Sequence, residues 1–501
     1  MYKLLCFLFI FSFIAASCAT EAEECFSNEE CPEGYTCDMD KNICVSPDKT
    51  GENGKTINDS EEHDDGEVPD ENGEKPDPGG GIITACDPGV QVECYEGPSG
   101  TRDVGICRAG VRTCLPDGTW GPECEGQVLP QPEICGDGID QNCDGQDWTE
   151  DMAIDIDGDG YTYCDGDCCE LQYECFGRDP ERVNPGAFDF PNGFDDNCDG
   201  TIDTPRQLCD DDIDPNSKDP VDLARAMDIC PITEDTPFGL ISAEISFPDG
   251  TGVGMVPENQ YSVLTAFGNT IVPSLGGAFA ALSSGNAKNP IGDPNVQNET
   301  SSGSPQDWYE ANGRRYPTSS ECGPLTSPSG DPANDPVMLT LHVKAPTNAE
   351  AFGFDIYFFS IEFHEYVCSQ YNDFFVALLD SEFFSGNPEE ANPFDKNLAM
   401  DPNGNPVGVN MGSLFTVCDQ KPLIAPQKTQ YCEGSEPLNG TGFEGHGATG
   451  WLSVRGNIEP AEEFKVRLAI WDAGDHILDS MVIIDNWQWY PTRQKPGTDR
   501  K

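Results

Sequence analysis

Beyond residue 219 apolar and polar side chains alternate with a period of two, the spacing that turns one face of a strand toward a core and the other toward solvent. Ile241, Ala243, Ile245 and Phe247 alternate with Ser242, Glu244 and Ser246. Val337, Leu339, Leu341 and Val343 do so with Met338, Thr340, His342 and Lys344, and Phe464, Val466, Leu468 and Ile470 repeat the pattern. Asp219 and Pro220 form an N-cap and first-turn pair that predicts a short helix through Met227. Cysteines thin out here and aromatics become frequent, so this stretch can build a large core. Its Gly- and Pro-rich connections and scarcity of helix predict a mainly β fold, an antiparallel β-sandwich of jelly-roll type. The aromatic run from Phe352 to Phe363, like Trp487 and Trp489, reads as core rather than as a sugar platform.

At the other end of the chain, Tyr2 and Lys3 precede an apolar stretch from Leu4 to Ala16, too short to span a bilayer comfortably, which ends in "AASC" at Cys18. It resembles the lipoprotein signal in which the cysteine becomes the lipidated first residue, so residues 1–17 are expected to be removed. Ala19, rather than Asp, after the cysteine implies the outer membrane; the expected face is the cell surface, with the periplasmic face as the alternative. No later segment is long and apolar enough for a transmembrane helix. The stretch from Val45 to Ala85 carries twelve Asp or Glu against three Lys and no aromatic residue, the composition of a disordered, self-repelling tether. From Cys86 to Gly126, short runs separated by "DG" and "WG" read as stapled hairpins containing five cysteines.

The candidate chemistry lies between these regions. In "DIDGDGY", Asp155, Asp157 and Asp159 alternate with Ile156 and Gly158, and Gly160 permits the sharp turn that gathers three carboxylates and the Tyr161 carbonyl around one hard cation. An EF-hand would place a bidentate Glu at position twelve; here Gly166 stands there, flanked by Asp165 and Asp167, so the loop belongs to another calcium class. Asp167 is the expected fifth ligand. Asp195, Asn197, Asp199 and Asp203 complete this site or add a second. "ICGDGIDQNCDG" at 134–145 lines up with "FPNGFDDNCDG" at 190–200, which makes Asp137, Asp140, Asn142 and Asp144 weaker candidates. The bland alternative is that these residues only form Asx turns.

The Asp-rich loop, "NPGA" and the two "NCDG" endings resemble the MopE-type metal-binding repeat, over about 134–203. Cys135 and Cys143 can pair within the first copy, but Phe190 stands opposite Cys198 at the equivalent position in the second. Cys198 therefore needs a partner from Cys164, Cys168, Cys169 or Cys175. "YSVLTAFG", "AALSSGNA", "GATGWLSV" and "LAIWDAGDHILDSMVIIDNWQW" resemble the choice-of-anchor L domain, over about 222–490. That resemblance implies a bacterial surface or secreted protein. The expected order is a signal peptide at 1–17, a small Cys-rich knot at 18–44, a tether at 45–85, a stapled spacer at 86–133 and a metal-binding repeat region at 134–208. The β-sandwich follows at 209–490, with a C-terminal tail at 491–501.

Of 24 cysteines, Cys6 falls in the signal and Cys18 carries lipid; the even remainder suits disulfides formed in an oxidising compartment. Thirteen lie from Cys86 to Cys209 and five from Cys230 to Cys432, so either a bridge crosses that boundary or two thiols stay free, and a bridge from Cys209 to Cys230 is the expectation. The net charge of −63, with no basic stripe to reverse it, excludes nucleic acid as a partner. Asp472, Asp475 and Asp479 sit on a turn between apolar segments, where a second calcium site competes with simple turn capping.

No catalytic motif is apparent: His364-Glu365 lacks the second histidine of a metalloprotease helix, and no nucleophile elbow or phosphate-binding loop occurs. The expectation is a noncatalytic outer-membrane lipoprotein with structural Ca2+, anchored by its N-terminal lipid and presenting the sandwich to a protein or glycan ligand. The alternatives are a carbohydrate-binding or polysaccharide-hydrolysing sandwich, and copper scavenging.

Overall fold

The computed structural model describes the backbone of residues 36–38 and 43–45, and residues 86–501 except 132–133, 135, 146–149, 174, 176, 234–235, 318, 321, 323–331 and 420–431. The signal segment, Cys18, the knot side chains, the tether and Cys135 lie outside the described residues. The chain divides into two compact units, 1–82 and 83–501. The described part of the first is an antiparallel pair, β1 (Thr36–Asp38) and β2 (Ile43–Val45).

The second unit opens with the strands β3 (Gln91–Cys94) and β4 (Gly110–Thr113), followed, among the described residues, by loops through residue 219 with isolated bridges and single turns of 3-10 helix. A module so poor in regular structure is held by covalent bonds: Cys86–Cys114, Cys94–Cys124, Cys107–Cys143, Cys168–Cys198 and Cys169–Cys175. The expected pairing of Cys135 with Cys143 is corrected, because Cys143 bonds Cys107. Two bridges within the spacer leave Cys107 as its odd cysteine, and the Ile106 N–H bonds the Asp140 carbonyl (3.0 Å), which sets Cys107 beside the first Asp-rich loop. Cys209 is joined to Cys230 across the boundary with the next region.

The larger region is mainly β. The short helix α1 (Pro220–Arg225) starts at Asp219, whose side chain accepts from the Val221 N–H. After it come β5 (Gly239–Ser246), β6 (Tyr261–Leu264), β7 (Phe279–Ser283), β8 (Ser301–Ser302), helix α2 (Gln306–Ala311), β9 (Ala333–Lys344), β10 (Ala351–Ser360), β11 (Phe374–Asp380) and β12 (Val417–Cys418). The last four strands are β13 (Gly447–Asn457), β14 (Glu463–Asp472), β15 (Ser480–Tyr490) and β16 (Gly497–Arg500). One antiparallel sheet runs β12-β13-β10-β15-β7-β6 with β16 on β13; the other runs β11-β14-β9-β5 with β8 on β9. Their facing sides share one core. Leu339, Leu341 and Val343 of β9 and Val466, Leu468 and Ile470 of β14 meet Phe352, Phe354, Ile356 and Phe358 of β10, all almost fully buried. Each such side chain contributes about 1.5–3 kcal/mol.

The alternation read from the sequence holds in β9, whose Thr340, His342 and Lys344 remain partly exposed. β10, whose aromatic run reads as core in the sequence, is buried at every position, on both faces. The physical reason is a second cover: loops carrying Phe267, Ile291 and Phe443 close over Tyr357, Phe359, Met481 and Ile483 on the outer face. A third cluster, Trp308, Tyr316, Phe374 and Trp471, brings α2 against the outside of the other sheet. The expected tail at 491–501 is also corrected. Residues 497–500 form β16, because Thr498 is buried and the segment pairs with Leu452–Arg455 of β13.

The loop module is docked on the sandwich by directional contacts. The Thr347 N–H bonds the Gly186 carbonyl (3.1 Å), the Asn348 side chain bonds both N–H and carbonyl of Phe188 (2.9 and 2.8 Å), and Arg182 pairs with Glu350. Arg206 reaches the carbonyls of Trp487 and Asp228.

Candidate metal centre

Three loops share one local geometry. The carboxylates of Asp140, Asp155 and Asp195 each accept a hydrogen bond from the glycine N–H five residues on, Gly145, Gly160 and Gly200, at 2.9, 3.1 and 2.9 Å. Two residues after each of these Asp, Asn142, Asp157 and Asn197 accept from the N–H of Asp144, Asp159 and Asp199. Position four is left-handed in all three, at Cys143, Gly158 and Cys198, and so is position six, with glycine φ values of 93°, 95° and 84°. That last position demands glycine, because a side chain there would be strained. Each loop thus gathers its side-chain oxygens by bonding them to its own backbone N–H groups.

The loops differ in what faces the ring. Around Asp155, Asp157 and Asp159 the chain folds back to add Asp167 and Glu170, 4% and 1% exposed. Asp155, Asp157 and Glu170 offer oxygens within 4.8 Å of one another, and so do Asp157, Asp159 and Asp167, so Asp157 belongs to both sets. Glu170 accepts from the Ile156 N–H (2.7 Å) and Asp167 from the Cys169 N–H (2.8 Å). Asp157 Oδ2, Asp167 Oδ2 and Glu170 Oε1 are buried without a hydrogen-bond partner. Burial, reinforced by neighbouring carboxylates, pushes Asp157 up to about 6 and Asp167 up to about 7, and Asp159 rises for the same reasons. Closely spaced oxygens that repel one another and lack donors are the donor set a hard cation satisfies.

Asn184, fully buried, supports this centre from behind. Its Nδ2 donates to Asp159 Oδ2 (2.6 Å), while its Oδ1 accepts from the Gly186 N–H (2.9 Å) and from Thr347 Oγ1 (2.7 Å) of the sandwich. Tyr161, at the seventh loop position, gives its N–H to Asp159 (2.8 Å) and lays its ring over Gly186, where a Cβ would come within 2.5 Å of its hydroxyl. Cys168 and Cys198 also approach Asp167, but they are bonded to each other and offer no thiolate.

Among the described residues, the other two loops have no such second tier. Asp203 Oδ1 accepts from the N–H groups of Asn192 and Gly193 (2.9 and 2.8 Å), so it braces a turn. Thr204 donates to Asp199 and holds that carboxyl below its ordinary value, while burial raises Asp195. In the first copy Asp137 accepts from the Ile139 N–H (2.9 Å) and the Gln141 side chain (2.6 Å), and Asn142 donates to Asp144 (3.1 Å). Glu170 and Asn184 were missed by sequence reasoning. The glutamate falls at the sixteenth position counted from Asp155, beyond the EF-hand register, and the signal for it was the acidic end of "CDGDCCE". Asp475 caps the Ile477 N–H (3.1 Å), whereas Asp472 and Asp479 are 1% exposed.

Fold and centre together define a disulfide-braced, carboxylate-rich module docked on an antiparallel β-sandwich. Residues 261–488 match the family model of the Choice-of-anchor L domain, and residues 130–147 and 178–204 match that of the MopE-type "Putative metal-binding motif". The chain thus carries a metal-binding motif followed by a choice-of-anchor L domain, which points to an extracellular or surface protein. The two segments of the second match contain the first and last loops and flank the central 155–170 cluster. No curated protein and no solved structure matches the chain. Among the described residues, no helix is long and apolar enough to cross a membrane.

Proposed function

We propose that this chain is a noncatalytic surface lipoprotein in which structural Ca2+ stiffens the loop module that carries a β-sandwich recognition domain. The observation that carries the reading is the set of five carboxylates, Asp155, Asp157, Asp159, Asp167 and Glu170, with three buried oxygens lacking partners. Oxygen donors favour a hard cation; copper prefers imidazole or sulfur, and the described cysteines here are disulfide-bonded. In a module with little core, metal-binding energy becomes folding energy. Cys18 supplies the lipid that holds the chain at the outer membrane. For a ligand, a cleft of about 1150 Å³ between module and sandwich, lined by Phe188, Phe238, Arg206 and Trp489, offers apolar and cationic contacts to a protein or glycan.

The test is thermal unfolding of the oxidised protein with Ca2+ and with chelator, alongside metal content by mass spectrometry, for the parent and Asp157→Asn. Retained Ca2+ with a rise in midpoint that the variant loses supports the reading. Preference for copper over calcium in competition overturns the choice of ion, and release of reducing sugar from a polysaccharide overturns the noncatalytic assignment.

A further inference from the structure

The sandwich holds a second group of carboxyls, remote in sequence from the first. Glu362 follows β10, Asp373 precedes β11, Asp472 ends β14 and Asp479 precedes β15, so the group gathers at the ends of strands from both sheets. The pairing of Phe374 with Trp471 places Asp373 beside Asp472, and the Ile361 N–H bonds the Asp479 carbonyl (3.2 Å). All four side chains are 2% exposed or less. Asp373 links the sheets: it accepts from Ser480 Oγ (2.6 Å) and from the Ala473 N–H (3.3 Å), and its charge bears on Glu362.

Turn capping does not account for this group. Neither oxygen of Asp472 makes a hydrogen bond of ordinary geometry, although the Ser284 hydroxyl faces it; Glu362 Oε2 and Asp479 Oδ1 are likewise buried and unpartnered. His476, which lies in the chain between Asp472 and Asp479, pairs with Asp335 (3.0 Å). Protonation alone would leave the Asp472 O–H buried without a well-placed acceptor, which is itself unfavourable. A divalent cation satisfies several such oxygens at once and removes their mutual repulsion.

We propose that Glu362, Asp373, Asp472 and Asp479 form a second, hard-cation site of the calcium class, which ties the ends of the two sheets together inside the sandwich. Three mutually adjacent ligand atoms within 4.8 Å occur, among the described residues, only in the loop module. Binding in the sandwich therefore draws its side chains inward by rotation. The proposal stands apart from the loop-module reading, since the two sites share no residue.

Whole protein, either parent or Asp157→Asn/Asp159→Asn, is equilibrated with Ca2+, freed of loose ions and assayed for calcium per chain, with near-ultraviolet circular dichroism to confirm folding. The loop-module variant is expected to keep one tightly held Ca2+, and adding Asp472→Asn or Glu362→Gln removes it. Each of these two substitutions is expected to lower the unfolding midpoint in Ca2+ but not in chelator. A folded loop-module variant without calcium overturns the site. So does an Asp472→Asn protein with unchanged calcium and a raised midpoint, the behaviour of a buried acid that merely carries a proton. If the parent loses calcium only through Asp472→Asn, the loop-module reading fails and this one stands.

Discussion

Asn184→Ala removes three well-formed hydrogen bonds from a side chain with no solvent exposure. Two are between neutral groups, from Thr347 Oγ1 and the Gly186 N–H, and one is made to the Asp159 carboxylate. At about 1 kcal/mol for each neutral bond and about 1.5–3 kcal/mol for the charge-assisted one, the loss is about 3–5 kcal/mol. Part of it appears in metal affinity, because groups that orient a ligand from behind typically contribute 10–100-fold. The expected result is Ca2+ binding weakened by about tenfold or more in calorimetry, with a lower unfolding midpoint in saturating Ca2+. Thr347→Val closes a double-mutant cycle: if Asn184 links metal loop to sandwich, the two substitutions act non-additively. Parental affinity in Asn184→Ala, together with effects that add within about 0.5 kcal/mol, would refute the reasoning.

Two further predictions concern other regions. Burial, helped by the Asp228 carboxylate, pushes Asp485 up to about 7. Folded protein thus binds a proton that the unfolded chain releases near its ordinary value of about 4, so stability from this group is full below that pH and is lost as pH rises through about 7. Asp485→Asn should therefore gain on the parent in unfolding midpoint between pH 4.5 and pH 8; a pH-independent difference sinks the assignment. Cys18→Ser should shift the protein from the detergent phase to the aqueous phase in detergent partitioning and abolish labelling by radioactive palmitate; retention in the detergent phase would argue against a lipid anchor.

Period-two alternation identified the strands whose outer faces meet water, as at Leu339 to Lys344, because solvent imposes polarity on every second residue. It could not show how β10, buried at every position, is covered, since the cover comes from Phe267 and Phe443, far away in the chain. β16 was invisible for the opposite reason: "GTDR" is polar, and only its pairing with β13 makes it a strand. At the metal centre, the alternating Asp residues encode their own turn through bonds to nearby N–H groups, so local spacing sufficed. Glu170 and Asn184 reach the site through a fold-back held by Cys168–Cys198 and Cys169–Cys175, a long-range constraint that spacing does not express. Parity arithmetic left a bridge across the 209–230 boundary or two free thiols, and the bridge is present, but parity could not tell that Cys143 would pair outside its own repeat.

The central strands of the seven-stranded sheet lie under side chains on both sides, so that sheet has little bare face on which a partner could rest. A surface that meets ligands must then be assembled from connecting loops, strand edges and the cleft beside the loop module. Such an arrangement separates two evolutionary demands. Loops can diversify toward new partners while the doubly covered strands stay unchanged, so related chains are expected to share strand cores and differ in what they hold.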